Sequence, residues 1–523
     1  MSIVPKQLLV SALDRSTEMK LSAGTVQVEG TNVFLNSMQF ELSENGVPQG
    51  VIDVSGEVLG SEDEHEFSIT AQWDDAVLDS PFTRAITAIV GGDSGIEYYD
   101  AMKPDGKAST TLFASGDSEE MSYSIDVVPE TLTLTFHKRR ASAVFEAAQE
   151  PAKNVIHFYN DGIHFDNLLG TLGQGAVSID GKISSNEYIE GRFDLTWEGP
   201  TGDESLFAIL PSIVGDTLID IEMKGGYSSM PNAEVSFYGE NWKNLAVHFN
   251  GDITQENVSL DVGIGLEQIQ GVTHVEGEYS KEKLSAFELS MAFEELTTLG
   301  RKVTNVAGSL ELDSETERFV FENVRGESVT GSVTVDGWLG LDGAKEYELE
   351  VLISGVDLAA KEGSDIAASL EGELQGWVSI AGTRGDQTTR RGMGKIIVEN
   401  GHLEIDPLTL TTMRILQLSL PSVSTVEGAE IDLYIQGDDI ILEDISLRSS
   451  DRGISPFVLE GEGSIDFETM EMYARLHPRA GLPIIRDIAG VLNDQFYSID
   501  VTGKLLNPEV SIVPLPFLSS QDK

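Results

Sequence analysis

Hydrophobic and polar residues alternate with a period of two in short runs along most of the chain, and Gly, Asn and Asp separate the runs. This pattern is typical of half-buried antiparallel strands joined by turns. Clear runs begin at Gly175 (GAVSIDG) and Gly331 (GSVTVDGWLGL). In VIHFYNDGIHFD, the Asn-Asp-Gly at residues 160–162 tolerates a positive φ and predicts a tight turn. We therefore expect successive hairpins from about residue 20 to residue 513.

Helical patterns interrupt the strands at few places. Two of them, near residues 79–90 and 203–214, each start with an Asp that can cap a helix. A third surrounds Thr411, and a fourth covers residues 481–496 (GLPIIRDIAGVLNDQF), where apolar residues recur on one helical face. We expect short amphipathic helices that pack on or against the sheet.

Two architectures are compatible with these strands. β-Sandwiches in series are the usual outcome of alternating strands, and a chain of 523 residues has room for two or three. Linkers separate such domains, however, and no Pro/Ser-rich or low-complexity segment divides this chain. A mostly β fold with one long curled antiparallel sheet, built of successive hairpins with a few short amphipathic helices, fits better.

The balance of charged residues excludes several partners. The chain has 87 Asp and Glu against 34 Lys and Arg, which gives a formal net charge of −53. Nucleic acid is excluded because phosphate binding needs clustered basic residues, and adhesion to anionic headgroups is disfavoured for the same reason. Without cysteine the chain has no disulfide, thiolate metal site or cysteine nucleophile. Hydrophobic residues make up 40% of the chain, so we expect it to fold.

Motifs that carry chemistry are incomplete. The sequence GGDSGI, residues 91–96, contains the nucleophile tetrapeptide of chymotrypsin-like proteases, but Ile-Glu follows where that family has Gly-Pro. His157 and His164 flank one predicted turn and can face each other across two strands, which supplies only two ligands for a metal. We expect no catalytic residue, no metal site and no cofactor, with an enzyme as the minor alternative.

The apolar face of the predicted sheet is the remaining candidate for function. It is in part the core of the fold. A long curled sheet also offers such a face as a groove for lipid acyl chains, while carboxylates keep the opposite face in water. The candidate groove residues lie on the hairpin around GEGSIDFETMEMYARL and on the helix at residues 481–496. They are Leu459, Ile465, Phe467, Met472, Leu476, Ile484 and Ile488.

The last third of the chain resembles the AsmA-like C-terminal region, found in bacterial envelope proteins such as AsmA and TamB. The resemblance rests on an ordered series of strands: GKIIVENGHLEIDPL from Gly394, AEIDLYIQGDDIILEDISLRSS from Ala429, FVLEGEGSIDFETMEMYARL from Phe457 and YSIDVTGKLLNPEVSIVPL from Tyr497. On this basis we divide the chain at an approximate boundary into a β-hairpin-rich groove region, residues 1–390, and an AsmA-like C-terminal region, residues 391–523.

The resemblance implies a repeating β-groove, taco-like in section, that binds phospholipid acyl chains. It implies lipid transport between the inner and outer membranes of a diderm bacterium, on the periplasmic side of the cell envelope. Members of that family begin with a transmembrane helix, whereas this chain shows no apolar run of that length and no signal peptide. We expect an upstream segment or a membrane-anchored partner to supply the anchor.

Two other functions stay open. The first is an envelope scaffold or assembly factor for outer-membrane proteins, which would bind a partner strand at the edge of the sheet. The second is a carbohydrate-active or adhesive β-protein, for which the 7% content of aromatic residues offers little support.

Overall fold

The coordinates of the chain are those of a computed structural model. The structure describes residues 2–3, 9–11, 17–44, 47–60, 65–80, 83–84, 87, 96, 99–100, 103–117, 120–136, 139–145, 154–185, 188–210, 212–240, 244–280, 283–298, 301–328, 330–341, 343–357, 370–404, 425–426, 428–449, 457–480, 497–505 and 507–514.

The described residues form thirty strands and two helices. The strands are β1 (Ser2–Ile3), β2 (Leu9–Ser11), β3 (Thr17–Glu29), β4 (Asn32–Glu44), β5 (Val47–Gly60), β6 (His65–Val77), β7 (Asp105–Gly116), β8 (Met121–Phe136), β9 (Arg139–Phe145), β10 (Val155–Tyr159), β11 (Gly162–Leu172), β12 (Gly175–Ser185), β13 (Ile189–Pro200), β14 (Tyr227–Gly239), β15 (Ala246–Asp261), β16 (Gly265–Ser280), β17 (Lys283–Thr298), β18 (Arg301–Asp313), β19 (Arg318–Ser328), β20 (Gly331–Gly340), β21 (Glu346–Asp357), β22 (Leu370–Thr383), β23 (Asp386–Glu404), β24 (Thr425–Val426), β25 (Gly428–Gln436), β26 (Asp439–Ser449), β27 (Phe457–Asp466), β28 (Glu471–Ala480), β29 (Tyr497–Lys504) and β30 (Asn507–Pro514). The helices are α1 (Glu204–Ile209) and α2 (Ser212–Asp220).

Successive strands pair as antiparallel hairpins, which confirms the mostly β fold predicted from the alternation. The predicted turn after β10 has a two-residue loop, because Tyr159 pairs with Gly162. The Asn160 side chain fixes this turn to β8, since its amide donates to the Met121 carbonyl at 2.8 Å and its oxygen accepts from the Tyr123 N–H at 2.7 Å.

Bulges preserve the separation of the two faces where a strand carries extra residues. In β11 the bulge residue Asn167 has a φ of 44°, and its N–H donates to Asp180 on β12 at 3.2 Å. Asn323 in β19 repeats this arrangement with a φ of 54° and a hydrogen bond to Asp336 on β20. Asn adopts positive φ more readily than most residues, so it suits a position where the strand must resume its alternation after an insertion.

The chain forms two compact units. Unit 1 comprises Met1–Ile219, Lys224–Gln255 and His274–Phe287, and unit 2 comprises Asp220–Met223, Glu256–Thr273 and Glu288–Lys523. Unit 1 has buried apolar clusters around Leu42, Leu168 and Trp197. In unit 2 such a cluster surrounds Val258 and Ile269. The division at residue 390 expected from the sequence stays a prediction.

The predicted helix at residues 203–214 is present as α1 and α2. Asp203 caps α1, because its carboxylate accepts the Ser205 N–H at 2.8 Å and also the Gln174 N–H at 2.7 Å in the turn before β12. In the region 79–90 the cap is Ser80 rather than the expected Asp79, since the Ser80 hydroxyl accepts the Thr83 N–H at 3.1 Å. The helices expected around Thr411 and at 481–496 lie outside the described residues, as do most of 79–90 and residues 91–95 of the GGDSGI motif.

Trp197 is the largest fully buried side chain of the described residues, with 1% of its surface exposed. It packs with Leu172 and Val177 of the sheet and with Ala208 of α1. We expect Trp197→Ala to leave a cavity and to lower the free energy of unfolding by about 3–5 kcal/mol, measured by urea denaturation. Trp377→Ala is the matched control, because 44% of the Trp377 surface is already exposed. Equal effects of the two substitutions would contradict this assignment of the core.

Candidate functional site

One face of unit 2 is apolar across eleven neighbouring strands, β19 to β23 and β25 to β30. Residues that lie directly opposite each other on adjacent strands form three continuous rows on this face, here called rows A, B and C. Row A is Gly326, Val333, Ile353, Gly376, Ile396, Ile431, Ile445, Gly461, Leu476 and Ile499. Row B is Val324, Val335, Val351, Val378, Gly394, Leu433, Leu442, Gly463, Ala474, Val501 and Val510. Row C is Phe321, Gly337, Leu349, Ile380, Gly392, Ile435, Ile440, Ile465, Met472, Gly503 and Pro508.

No charged or hydrogen-bonding side chain interrupts these three rows of described residues. Eleven strands at a spacing of about 4.8 Å extend over about 48 Å in the direction of the rows. The face is therefore a continuous apolar surface, much longer than the core of one hairpin requires.

The rows differ in how deeply their side chains are buried. In row C, Leu349 and Ile380 are 2% and 1% exposed and belong to the core. In rows A and B, the Val and Ile residues from β20 to β25 are only half-buried although they are apolar, whereas Leu433 in row B is buried. We call these half-buried residues the floor; they are Val333, Val335, Val351, Ile353, Val378, Ile396 and Ile431.

Four of the candidate groove residues share the apolar face, Leu459, Ile465, Met472 and Leu476, and Phe467 follows them in the turn after β27. Ile465 lies opposite Met472, and their neighbours alternate in register along β27 and β28. Leu459, Ile465 and Leu476 are 4–7% exposed and pack in the core, whereas Phe467 and Met472 are half-buried. The other two candidates, Ile484 and Ile488, lie outside the described residues, and the lipid-binding role of the set stays a prediction.

The floor itself was not singled out from the sequence. Five of its seven residues stand in GSVTVDG, YELEVLISG and GWVSIAG, where an apolar or aromatic residue or Gly occupies every second position. This alternation predicts on which face of the sheet a side chain lies. It does not distinguish a buried row from a partly exposed row, because the residues of both rows alternate in the same way.

Unit 1 has a comparable apolar face. A row of directly opposed residues runs through Leu21, Phe40, Ile52, Trp73, Thr110, Val127, Ile156, Phe165, Gly181, Phe193 and Val235. Half-buried aromatic rings follow one another on this face, with centroids 5.1 Å apart for Phe165 and Phe193 and 5.6 Å apart for Phe193 and Phe237. Gly191 makes room for this arrangement, because a Cβ there would lie 2.4 Å from the Phe237 ring.

The opposite face of unit 2, here called the outer face, carries the charged residues. Lys395 lies 2.6 Å from the Glu430 carboxylate and 3.3 Å from Asp432, and Arg448 donates to Glu430 at 2.8 Å. The hydrogen bond from Lys395 holds the pKa of Glu430 below its usual value. A polar depression of about 280 Å³ lies on this face, lined by Glu430, Asp432, Asp444, Ser446, Arg448 and Glu460.

The outer face is not uniformly acidic, unlike the face expected from the sequence pattern. Large apolar and aromatic side chains are 38–56% exposed there. Leu352 lies opposite Trp377, and Tyr434 lies between Met393 and Ile441 on the neighbouring strands. We call this set the outer stripe; it comprises Leu352, Trp377, Met393, Tyr434, Ile441 and Tyr473.

The predicted contact of His157 with His164 is present in unit 1. The two residues lie directly opposite each other, with ring centroids 6.1 Å apart. Nδ1 of His157 lies 2.7 Å from the Asp126 carboxylate. No group of three His, Asp or Glu side chains within the described part of the chain is arranged to hold a metal ion.

Comparison with known proteins gives no relative. No family model matches the chain. No curated protein and no solved structure matches it either. The resemblance to the AsmA-like family therefore stays a prediction from the residue pattern. Among the described helices, none is long and apolar enough to span a membrane.

An ion pair on the outer face connects β28 and β29. Arg475 donates two hydrogen bonds of 2.8 Å to the Asp500 carboxylate, whose side chain is 12% exposed. The hydrogen bonds from Arg475 hold the pKa of Asp500 below its usual value, although burial alone would raise it. Folding therefore stabilises the ionised form of this carboxyl group.

The contribution of the Arg475–Asp500 ion pair to folding stability depends on pH, and its sign follows from the lowered pKa of Asp500. Because the pKa of Asp500 is lower in the folded state, its contribution to stability is present above about pH 4, the unfolded value, and is lost as the pH falls through the folded value. We expect Asp500→Asn to be less stable than the wild type at pH 7, and the difference to shrink at pH 3, measured by urea denaturation. Asp444→Asn, at an exposed position of the same face, is the control. A difference for Asp500→Asn that does not change with pH would contradict the assignment.

Proposed function

We propose that this protein binds lipid acyl chains on its apolar face and acts in phospholipid transport in a cell envelope, without catalysis. The observation that supports acyl-chain binding is the floor. Seven Val and Ile side chains on five strands are half-buried, and the rows that contain them have no polar side chain over about 43 Å in row A and about 48 Å in row B. A surface of this length and composition suits a hydrocarbon chain better than a compact polar ligand.

Burial of hydrocarbon supplies the binding energy in this proposal. Each methylene group removed from water contributes about 0.8 kcal/mol. The floor offers no hydrogen-bonding side chain that would fix a chain at one place, so a bound acyl chain can shift along the rows with little change in energy. Passive movement of lipid along the face follows from this uniformity.

The charge of the protein agrees with contact through the tails. A net charge of −53 repels anionic membrane surfaces, and the carboxylates of unit 2 described above lie on the outer face. The lipid is then held by its chains on the apolar face, while the charged outer face keeps the protein in water.

The placement in the envelope and the route between the inner and outer membranes rest on the resemblance of the last third of the chain to the AsmA-like family. Native mass spectrometry after gentle extraction tests the lipid-binding part of the proposal. We expect co-purified phospholipid. A protein without bound lipid that also takes up no fluorescent phospholipid would contradict the proposed function.

Two substitutions on β21 test which face of the sheet binds the acyl chain. Val351 belongs to the floor, and its neighbour Leu352 points to the outer face with 56% exposure. We expect Val351→Asp to weaken the binding of a phosphatidylethanolamine with a fluorescent acyl chain about tenfold or more, because a charge would be desolvated under the chain. Leu352→Asp should change the affinity by less than about twofold.

The control for this pair is the fold of each variant, measured by circular dichroism and thermal unfolding. If Val351→Asp does not fold, a photo-cross-linking residue at position 351 or 352 replaces it, and lipid adducts should form mainly at position 351. Equal loss of binding in both aspartate variants, or equal adducts at both positions, would show that the floor is not the site.

The envelope scaffold is the second candidate, and the outer stripe favours it. Six large apolar or aromatic side chains, each at least 38% exposed, form a surface that suits a protein partner. A photo-cross-linking residue at Trp377 tests this function, with an adduct to an outer-membrane protein precursor as the expected result. The absence of such an adduct, together with lipid adducts at position 351, would leave lipid binding as the function.

A further inference from the structure

A buried arginine lies on the apolar face of unit 2, at the end of the rows. Arg390 precedes Gly392 of row C by two residues in β23, so the alternation of the strand places both on the same face. Only 5% of its surface is exposed. Its guanidinium lies 4.2 Å from the ring centroid of Phe467, one of the candidate groove residues. The apolar face therefore ends in a positive charge.

The surroundings of Arg390 leave part of its hydrogen-bonding capacity unused. Its Nε and Nη1 atoms are buried and have no hydrogen-bond partner. The Asp438 carboxylate lies 3.6 Å from Nη1, beyond hydrogen-bond distance, and its side chain is 47% exposed. Asp438 thus offsets the charge in part but does not satisfy the N–H groups. A buried N–H group without an acceptor is unfavourable, and more so on a charged guanidinium.

Two further polar groups lie at the same end of the face. Tyr347 is 4% exposed, and burial raises the pKa of its phenol while a hydrogen bond with Arg390 opposes the rise. Arg384, 6% exposed, donates from Nη2 to the Gly340 carbonyl at the end of β20. Two buried arginines and a tyrosine hydroxyl therefore lie beside the rows, in a chain with a net charge of −53.

We propose that Arg390 and its neighbours bind the anionic headgroup of a lipid whose acyl chains lie on the floor, with a phosphate as the group recognised. This inference rests on the proposed function and adds a headgroup preference to it. Guanidinium groups bind phosphate through paired N–H donors, and a phosphate oxygen supplies the acceptors that Nε and Nη1 lack. This site also sets the direction of the acyl chains. The headgroup lies at the turn end of β23, and the acyl chains extend from there along the strand towards rows B and A.

A purely structural role for Arg390 is the main alternative. In that case Arg390 would only stabilise the fold, by stacking on Phe467 and pairing with the charge of Asp438. This alternative leaves Nε and Nη1 without acceptors, and it predicts that no ligand depends on the arginine beyond the stability of the fold. Ligand preference therefore separates the two roles.

The experiment compares two probes with the same fluorescent acyl chain, phosphatidic acid and diacylglycerol, on the full chain. We expect phosphatidic acid to bind about tenfold or more tightly, because it adds charge-assisted hydrogen bonds. Arg390→Gln should lower this preference to about twofold or less while the affinity for diacylglycerol stays unchanged. Arg391→Gln is the matched control, since Arg391 is the next residue in the strand, is exposed on the outer face and should keep the full preference.

The outcomes separate the two proposals. If the wild type binds neither probe, the proposed function fails. If it binds both equally, or if Arg390→Gln keeps the preference, acyl-chain binding stands and the headgroup site is wrong. Thermal unfolding shows whether Arg390→Gln folds. If it does not, Arg390→Lys, which keeps the charge but loses the paired donors, should show a reduced preference, and an unchanged preference would overturn the proposal.

Inorganic phosphate separates a lipid headgroup from a free anion. We expect phosphate to weaken the binding of phosphatidic acid towards the level of diacylglycerol, with no effect on diacylglycerol itself. Phosphate that binds as tightly as phosphatidic acid would indicate a site for the free ion and would overturn the lipid assignment.

Discussion

The alternation of side chains across a strand ties each residue of this protein to its partners on the next strand. A slip of one residue between β21 and β22 would bring Glu348 and Glu350 to the apolar face and move Leu349 into water. The apolar face therefore fixes the register of each hairpin, and each hairpin in turn supplies the next two members of rows A, B and C. Bulges such as those at Asn167 and Asn323 are compatible with this constraint because the alternation resumes after them.

Glycine in the rows has a structural reason of its own. A Cβ at Gly394 would lie 2.7 Å from the Trp377 carbonyl oxygen of the neighbouring strand, so the close approach of β22 and β23 requires a residue without a side chain there. The apolar face is therefore uneven, with branched side chains beside positions where the backbone itself is the surface. An acyl chain, which is thin and flexible, can follow such a surface, whereas a flat ring system would contact only its high points.

The sequence was sufficient to predict the fold, but it did not predict how deeply each side chain on the apolar face is buried. Alternation in GAVSIDG and GEGSIDFETMEMYARL predicted the strands and correctly assigned Ile465, Met472 and Leu476 to one face, because the face depends only on the parity of the position. It did not show that Leu476 is core while Val351 is half-buried, since that difference depends on which strands lie nearby. Arg390 was missed for a related reason. In TTRRGMG two adjacent arginines have the pattern of an exposed turn, and only the register of β23 separates the buried one from the exposed one.

The pairing of each strand with its neighbours in the chain has a consequence for how such a protein can change in size. The strands of rows A to C contact the hairpins before and after them, as repeats do in a solenoid. A whole hairpin inserted between two others would bring its own pair of apolar positions for each row and would leave the contacts elsewhere unaltered. Insertions of two strands are therefore neutral to the architecture, while an insertion of one strand would reverse the direction of every strand that follows. Length in this fold is a quantity that evolution can adjust in steps of two strands, each step lengthening the apolar face by about 10 Å.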